Sequence, residues 1–184
     1  MSDTENSTLK YFEEFTAKGP LNPETSFSVS LCSNSALLKD LKTEIQELKF
    51  DSKFMFVLKE SKNTLFQTDE DLLRSCLSSL LNWVSFFVSG NDKIEVSTSN
   101  TDKKILFRIN MPEKLVGDLR NLLDDPKKLP GGSPDNLVYL KAFSSSLTLL
   151  EKYFEMTDNF NEVNNHLLLS LPLKFREGDN NHNN

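Results

Sequence analysis

Few residues in this chain could do chemistry, and their spacing builds none of the common reaction centres. Histidine occurs only at His166 and His182. Nucleophilic catalysis of the Ser-His-Asp or Cys-His kind needs an imidazole within reach of a nucleophile and an orienting group. Neither histidine has such a partner at a recognisable spacing; His166 lies in the closing strand and His182 in a polar tail. Cys32 and Cys76 are far apart and match no metal or redox spacing, so they read as two buried, reduced thiols. The carboxylate groups Glu13-Glu14, Asp69-Glu70-Asp71 and Asp124-Asp125 could in principle attract a hard cation. They fall at helix starts, helix ends and loops, where solvation and, at N-termini, the helix dipole account for them. These residues imply no catalytic group, no metal ligand and no cofactor.

Charge and composition narrow the classes further. A net charge of -6 and a pI near 5.0 argue against a nucleic-acid binder, which needs clustered Lys and Arg for phosphate contacts. Lys103-Lys104 and Lys127-Lys128 read as solvated loop charges, the second pair flanked by Asp124 and Asp125. With 38% apolar and 26% charged residues in 184, the chain is long enough and apolar enough for one globular domain. No basic head precedes an apolar run, and no apolar segment nears the roughly 20 residues needed to span a bilayer. The expectation is a cytoplasmic protein that uses neither membrane nor nucleic acid.

The elements that would position any site follow from the periodicity. Residues 1–25 are expected to form a polar tail with a short docking helix over Leu9 to Phe15, and residues 176–184 a second polar tail. Between them, residues 26–175 switch repeatedly between periods of 2 and 3.6. "FSVSLCS" reads as a strand, and Asn34 or Ser35 caps a helix with Leu37, Leu38, Leu41, Ile45 and Leu48 on one stripe. "SKFMFVLKES" and "TLFQT" read as strands. Thr68, with Asp71 three residues on, is placed to cap a helix whose stripe is Leu73, Leu77, Leu80, Leu81, Val84 and Val88. Ser75, Ser78, Ser79 and Asn82 are expected on its polar face, with Trp83 and Phe87 at the border and Gly90-Asn91-Asp92 at its end. "KIEVSTS" and "KILFRIN" form a hairpin across "NTDK". Pro112 opens a further helix, and a breaker-rich loop over 126–136 precedes a helix from about Asp135 to Tyr153. "YFEMTD" and "HLLLSLPLKF" close the chain as strands. The order β-α-β-β-α-β-β-α-α-β-β predicts an α+β two-layer sandwich, a mixed sheet with helices packed on one face.

That order and four strings resemble the ATP-binding catalytic domain of sensor histidine kinases, the Bergerat or GHKL fold. "TDEDLLRSCLSSLLNWVSFF" resembles the family's N-box helix. "DKIEVSTSNTDKKILFRIN" resembles the hairpin before its first glycine box. "NLVYLKAFSSSLTLLEKYF" resembles the helix after its second, and "NNHLLLSLPL" its last strand. The likeness spans roughly Phe27 to Leu173, and no single motif is intact.

What the resemblance implies for a site can be checked at each matching position. Mg-ATP binding in the family uses amide side chains on the N-box helix, and Ser79 and Trp83 stand there. An indole offers one N–H donor and no oxygen for a metal. Asn82 is one residue away. The adenine-reading aspartate matches Met111, or Asn110 with a shift of one, and the following glycines match Glu113 and Leu115. Glycine is needed there because backbone approaches the ligand closely. Gly131-Gly132 lie in the loop, and the helix entrance itself reads Asn136 to Tyr139 without glycine. The expectation is a degenerate nucleotide site at Ser79, Trp83, Met111, Glu113 and Leu115. Trp83, Phe86, Phe87, Met111 and Tyr139 either fill the core there or form a face for a partner.

Two functions follow from the resemblance. One is a non-catalytic, histidine-kinase-like module of bacterial signal transduction, with a response regulator or a sensor kinase as partner. The other is a divergent ATP-dependent serine kinase of the anti-sigma-factor type, with a sigma factor or antagonist as partner. The segment before Phe27 contains no histidine and is too short for the family's phospho-accepting hairpin, so autophosphorylation in cis is not expected.

Overall fold

The computed structural model describes residues 27–47, 55–59, 62–88, 90–124 and 134–175. The expected N-terminal segment 1–25, the tail 176–184 and most of the loop over 126–136 lie outside the described residues. The elements run β1 (Val29–Ser33), α1 (Asn34–Glu47), β2 (Met55–Lys59), β3 (Leu65–Asp69), α2 (Glu70–Ser85), β4 (Lys93–Asn100), β5 (Lys104–Asn110), α3 (Glu113–Asp124), α4 (Pro134–Phe154), β6 (Thr157–Asn161) and β7 (His166–Pro172). This is the order that the periodicity predicts.

Five strands form one sheet in the order β2-β4-β5-β7-β6, parallel between β2 and β4 and antiparallel elsewhere. Alternation decides its two faces. Ile94, Val96, Ile105, Phe107, Ile109, Leu167, Leu169 and Leu171 are buried on the side that the helices cover. Lys93, Glu95, Arg108, Asn110 and His166 occupy the intervening positions and share the opposite face. β1 and β3 form a separate antiparallel ribbon, joined to the sheet by an edge-to-face contact of Phe66 with Phe107 at 5.9 Å. Buried Asn34 ties the same junction, donating from Nδ2 to Thr98 Oγ1 at 2.9 Å and accepting the Thr64 N–H at 2.7 Å.

Several helix limits differ from the sequence expectation. Ser33, rather than Asn34 or Ser35, caps α1, its Oγ accepting the Ala36 N–H at 3.3 Å. Asp69 caps α2 in place of Thr68: its Oδ1 accepts the Leu72 N–H and its Oδ2 the Ser28 N–H, both at 3.0 Å. Thr68 cannot serve because it pairs with Ser30 in the ribbon and is buried there. Helix α2 stops at Ser85, short of Val88 and Gly90, and the Phe86 N–H turns back to the Trp83 and Val84 carbonyls. Tyr153 and Phe154 belong to α4, not to a strand, and Glu155 at φ 52 reverses the chain into β6.

Most of the expected polar face of α2 is also buried, with Ser75 half-buried. Packed between α1 and α4, the helix has Ser78, Ser79 and Asn82 out of solvent along with its leucines. Ser78 is accommodated by α1, donating from Oγ to Glu44 Oε1 at 2.6 Å, and Asn82 Nδ2 reaches Ser78 Oγ at 3.4 Å. Among the described residues, no helix is long and apolar enough to cross a membrane.

Candidate functional site

Helix α2 and the β5–α3 junction carry the five positions at which a nucleotide site was expected. Ser79 and Trp83, one helical turn apart, stand on one face of α2. Trp83 is 1% exposed, its ring 5.0 Å from that of Phe87. Ser79 is equally buried, and its Oγ has no hydrogen-bond partner among the described residues. Met111 continues the inward alternation of Ile105, Phe107 and Ile109; it is 3% exposed and its N–H donates to the Asn165 carbonyl at 3.0 Å. Leu115 is buried in the first turn of α3, and Glu113, at the start of that helix, is exposed.

These side chains do not fit Mg-ATP. Trp83 supplies no metal-binding oxygen, and Met111 supplies a thioether where a carboxylate would read an adenine amino group. Leu115 places a buried branched side chain where a close backbone approach would need glycine. The one-residue shifts restore no open site. Asn82 is buried, its Nδ2 3.4 Å from Ser78 Oγ one turn back along α2. Asn110 faces the other side of the sheet, its Nδ2 3.4 Å from Glu95 Oε1.

The five residues named as a contact face divide in the same way. Trp83 and Met111 are core, 1% and 3% exposed, with Met111 only bordering the cavity described below, a correction to the expectation that they could anchor a partner. Phe86 and Phe87, just past the end of α2 at Ser85, are 49% and 46% exposed. Tyr139 is half-buried, 5.9 Å from the Phe86 ring, and Val138 beside it is exposed.

The other reactive groups are occupied by structure. Burial pushes the Cys76 thiol far above its ordinary range and raises that of Cys32 as well. Glu70 and Asp40 both accept from Arg74 Nη2 at 2.9 Å, which together with the Asp69 cap accounts for most of the Asp69-Glu70-Asp71 run. Among the described residues, no group of three or more His, Cys, Asp or Glu is placed to hold a metal.

One cavity opens on the sheet face away from the helices. It has a volume of about 710 Å³, and its lining includes Lys93 from β4, Arg108 and Asn110 from β5, and Asn164 and His166 at the start of β7. Glu95, on the same face of β4, has its Oε2 2.8 Å from Lys93 Nζ and 3.0 Å from Lys59 Nζ. Hydrogen bonds from Lys93 and then Lys59 hold its carboxyl below the usual range. The sequence held a signal for this grouping that motif matching passes over. Alternation in "KIEVS" and "LFRIN" puts Lys93, Glu95, Arg108 and Asn110 on one face.

No family model matches the chain, and no curated protein matches it in sequence. Solved structures do match. The catalytic domain of histidine kinase ThkA, in a nucleotide-free form, aligns with a TM-score of 0.61 at 12% identity, over 80% of this chain and 99% of that one. A mycobacterial sensor histidine kinase, MprB, aligns with a TM-score of 0.57 at 11% identity, over 81% of this chain and all of that one. For histidine kinase AdeS of Acinetobacter baumannii the values are 0.52 and 10%, over 93% of this chain and 77% of that one. The fold is therefore that of histidine kinase catalytic domains, as the order of elements implied.

Proposed function

We propose that this chain, built on the fold of a histidine kinase catalytic domain, is a non-catalytic module that acts through protein–protein contact in bacterial signal transduction. One observation carries the proposal: the side chains at the nucleotide positions, Trp83, Met111 and Leu115, are themselves packed into the hydrophobic core. A pocket that is occupied by the protein's own side chains has no volume for adenine, and Trp83 and Met111 bring no group to hold Mg²⁺ or read a base.

The contact face in this proposal is the aromatic shelf of Phe86, Phe87 and Tyr139 at the end of α2. Exposed aromatic side chains gathered at one place are typical anchors of protein interfaces. The partner class is a response regulator or a sensor kinase, and the module works by occupying a docking surface without transferring a phosphoryl group. Two experiments test this. Incubation with labelled ATP and Mg²⁺, alone and with purified receiver domains and sensor kinases, is expected to leave every protein unlabelled; label on any of them would contradict the proposal. A Phe86→Ser, Phe87→Ser variant is expected to keep its fold by circular dichroism and lose binding to whichever of those proteins the parent chain retains. Undiminished binding by that variant would remove the shelf from the proposal.

A further inference from the structure

The β1–β3 ribbon buries one face and leaves the other apolar and open. Cys32, Phe66 and Thr68 point inward and are buried. The alternate positions carry Val29, Leu31 and Leu65, which are 40%, 64% and 55% exposed. Leu31 pairs with Gln67 and Ser33 with Leu65, so Leu65 lies diagonally across from Leu31, and Val29 is two residues along the same strand. Side chains at those spacings touch and form one patch. An exposed leucine by itself is ordinary, but three aliphatic side chains grouped on a two-stranded ribbon call for a cover. The ribbon's edges differ as well. The Leu173 carbonyl takes the Gln67 N–H at 3.0 Å on the far side of β3, whereas β1 has no strand on its far side among the described residues.

The chain itself supplies a matching surface. Residues 1–26 lie outside the described residues and lead directly into this ribbon. Phe27 is fixed at the end of α4, its ring 4.6 Å from Tyr153 and 5.5 Å from Phe154, and the Ser28 N–H is held by Asp69. The preceding sequence contains "LKYFEEF", Leu9 to Phe15. At about 100° per residue, Leu9, Tyr11, Phe12 and Phe15 fall on one side of a helix and Lys10, Glu13 and Glu14 on the other. So short a helix is not stable by itself and needs an apolar surface to pack on. Gly19, Pro20 and Pro23 break the helix and let the chain double back. Residues 16–26 reach up to about 40 Å when extended, against about 17 Å for the length of β1. A segment tethered at this range competes at millimolar effective concentration, which favours it over a second copy of the chain. We propose that Leu9–Phe15 docks as a helix on the outer face of the β1–β3 ribbon, with Phe12 and Phe15 against Val29, Leu31 and Leu65.

The test is amide hydrogen exchange of the full chain, read residue by residue by NMR. Amides from Glu13 to Thr16 are expected to exchange about tenfold or more slowly than in a random coil, at a rate that does not change on dilution. Leu31→Asp puts a charge on an exposed position and should return those amides to the random-coil rate while β5 and β7 keep their protection. Phe12→Ser with Phe15→Ser changes the other partner and leaves every described residue intact. It should shift the amides of Val29–Ser33 and Leu65–Gln67, whereas Lys10→Ser, on the charged side, should not. Random-coil exchange of Glu13–Thr16 in the parent would overturn the proposal. So would protection that survives Leu31→Asp, ribbon amides that ignore the double substitution, or an equal response to Lys10→Ser. Protection that fades on dilution, with a dimer in sedimentation, would assign the face to a second copy instead. The ribbon patch includes none of Phe86, Phe87 and Tyr139, so failure here leaves the proposal for that shelf standing.

Discussion

Replacing Trp83 with alanine tests the packing of α2 with a magnitude that follows from its burial. The side chain is 1% exposed. An aromatic side chain of this size buries about 200 Å². At about 25 cal/mol per Å², less the part that alanine retains, the lost burial is worth about 4 kcal/mol, within the range of about 3–5 kcal/mol seen when buried Trp or Phe is cut to Ala. For a chain of 184 residues, each kcal/mol moves the unfolding midpoint by about 2–4 °C, so Trp83→Ala should lower it by roughly 10 °C or more. Urea denaturation followed by far-ultraviolet circular dichroism measures the change. Trp83 is the sole tryptophan, so the parent chain carries its own control. Its native emission should be that of a water-excluded indole, shifting to longer wavelength on unfolding. A loss below about 1 kcal/mol, the scale of surface substitutions, or a native emission already that of a solvated indole, would refute the assignment of Trp83 to the core.

Three other outcomes follow from particular contacts. Ser79→Ala should stabilise the chain by about 1 kcal/mol, because it removes a buried hydroxyl without a partner among the described residues; urea midpoints measure it, and a clear loss would mean that the hydroxyl is bonded. Glu95→Gln should be less stable than the parent near neutral pH, because Lys93 and Lys59 hold the folded-state carboxyl below its unfolded value. Between the lowered folded value and about pH 4.3 the unfolded state binds more protons, so the contribution is complete above that range and fades as pH falls through it. Parallel pH profiles of stability for the two chains would contradict it. Cys32 and Cys76 should resist iodoacetamide in the native state and both react in urea, since burial raises both thiols; rapid native labelling of either would place it at the surface.

The order of elements was legible because each segment keeps a clear period and clear breakers. Strict alternation in "KIEVSTS" and "KILFRIN" identified the central hairpin, and Pro112 marked the entrance of α3. Helix ends were less legible because caps depend on what is packed nearby. Thr68 fits a capping box in sequence, yet ribbon pairing buries it and hands the cap to Asp69. Burial of Ser78, Ser79 and Asn82 was hidden for a similar reason. A serine face normally meets water, and only the arrival of Glu44 from α1 makes it interior. For the site, residue chemistry at Trp83 and Met111 argued against a nucleotide, but sequence could not separate core from contact surface. Side-chain direction did so, placing those two inside and leaving Phe86 and Phe87 in the open. The cationic cavity was missed because its residues come from β4, β5 and β7, which only the sheet order brings together.

Thermal unfolding with and without millimolar Mg-ATP and Mg-ADP bears most directly on whether the histidine-kinase-type fold here still holds a nucleotide. A ligand at about a hundred times its dissociation constant stabilises by roughly 2.7 kcal/mol, which would raise the midpoint by about 5–10 °C in a chain of this size. With Trp83, Met111 and Leu115, which stand at the expected nucleotide positions, buried in the core, the expected result is no shift with either nucleotide. A rise of that size with Mg-ATP, abolished when Mg²⁺ is withheld, would contradict the account and return the chain to the kinases whose fold it shares.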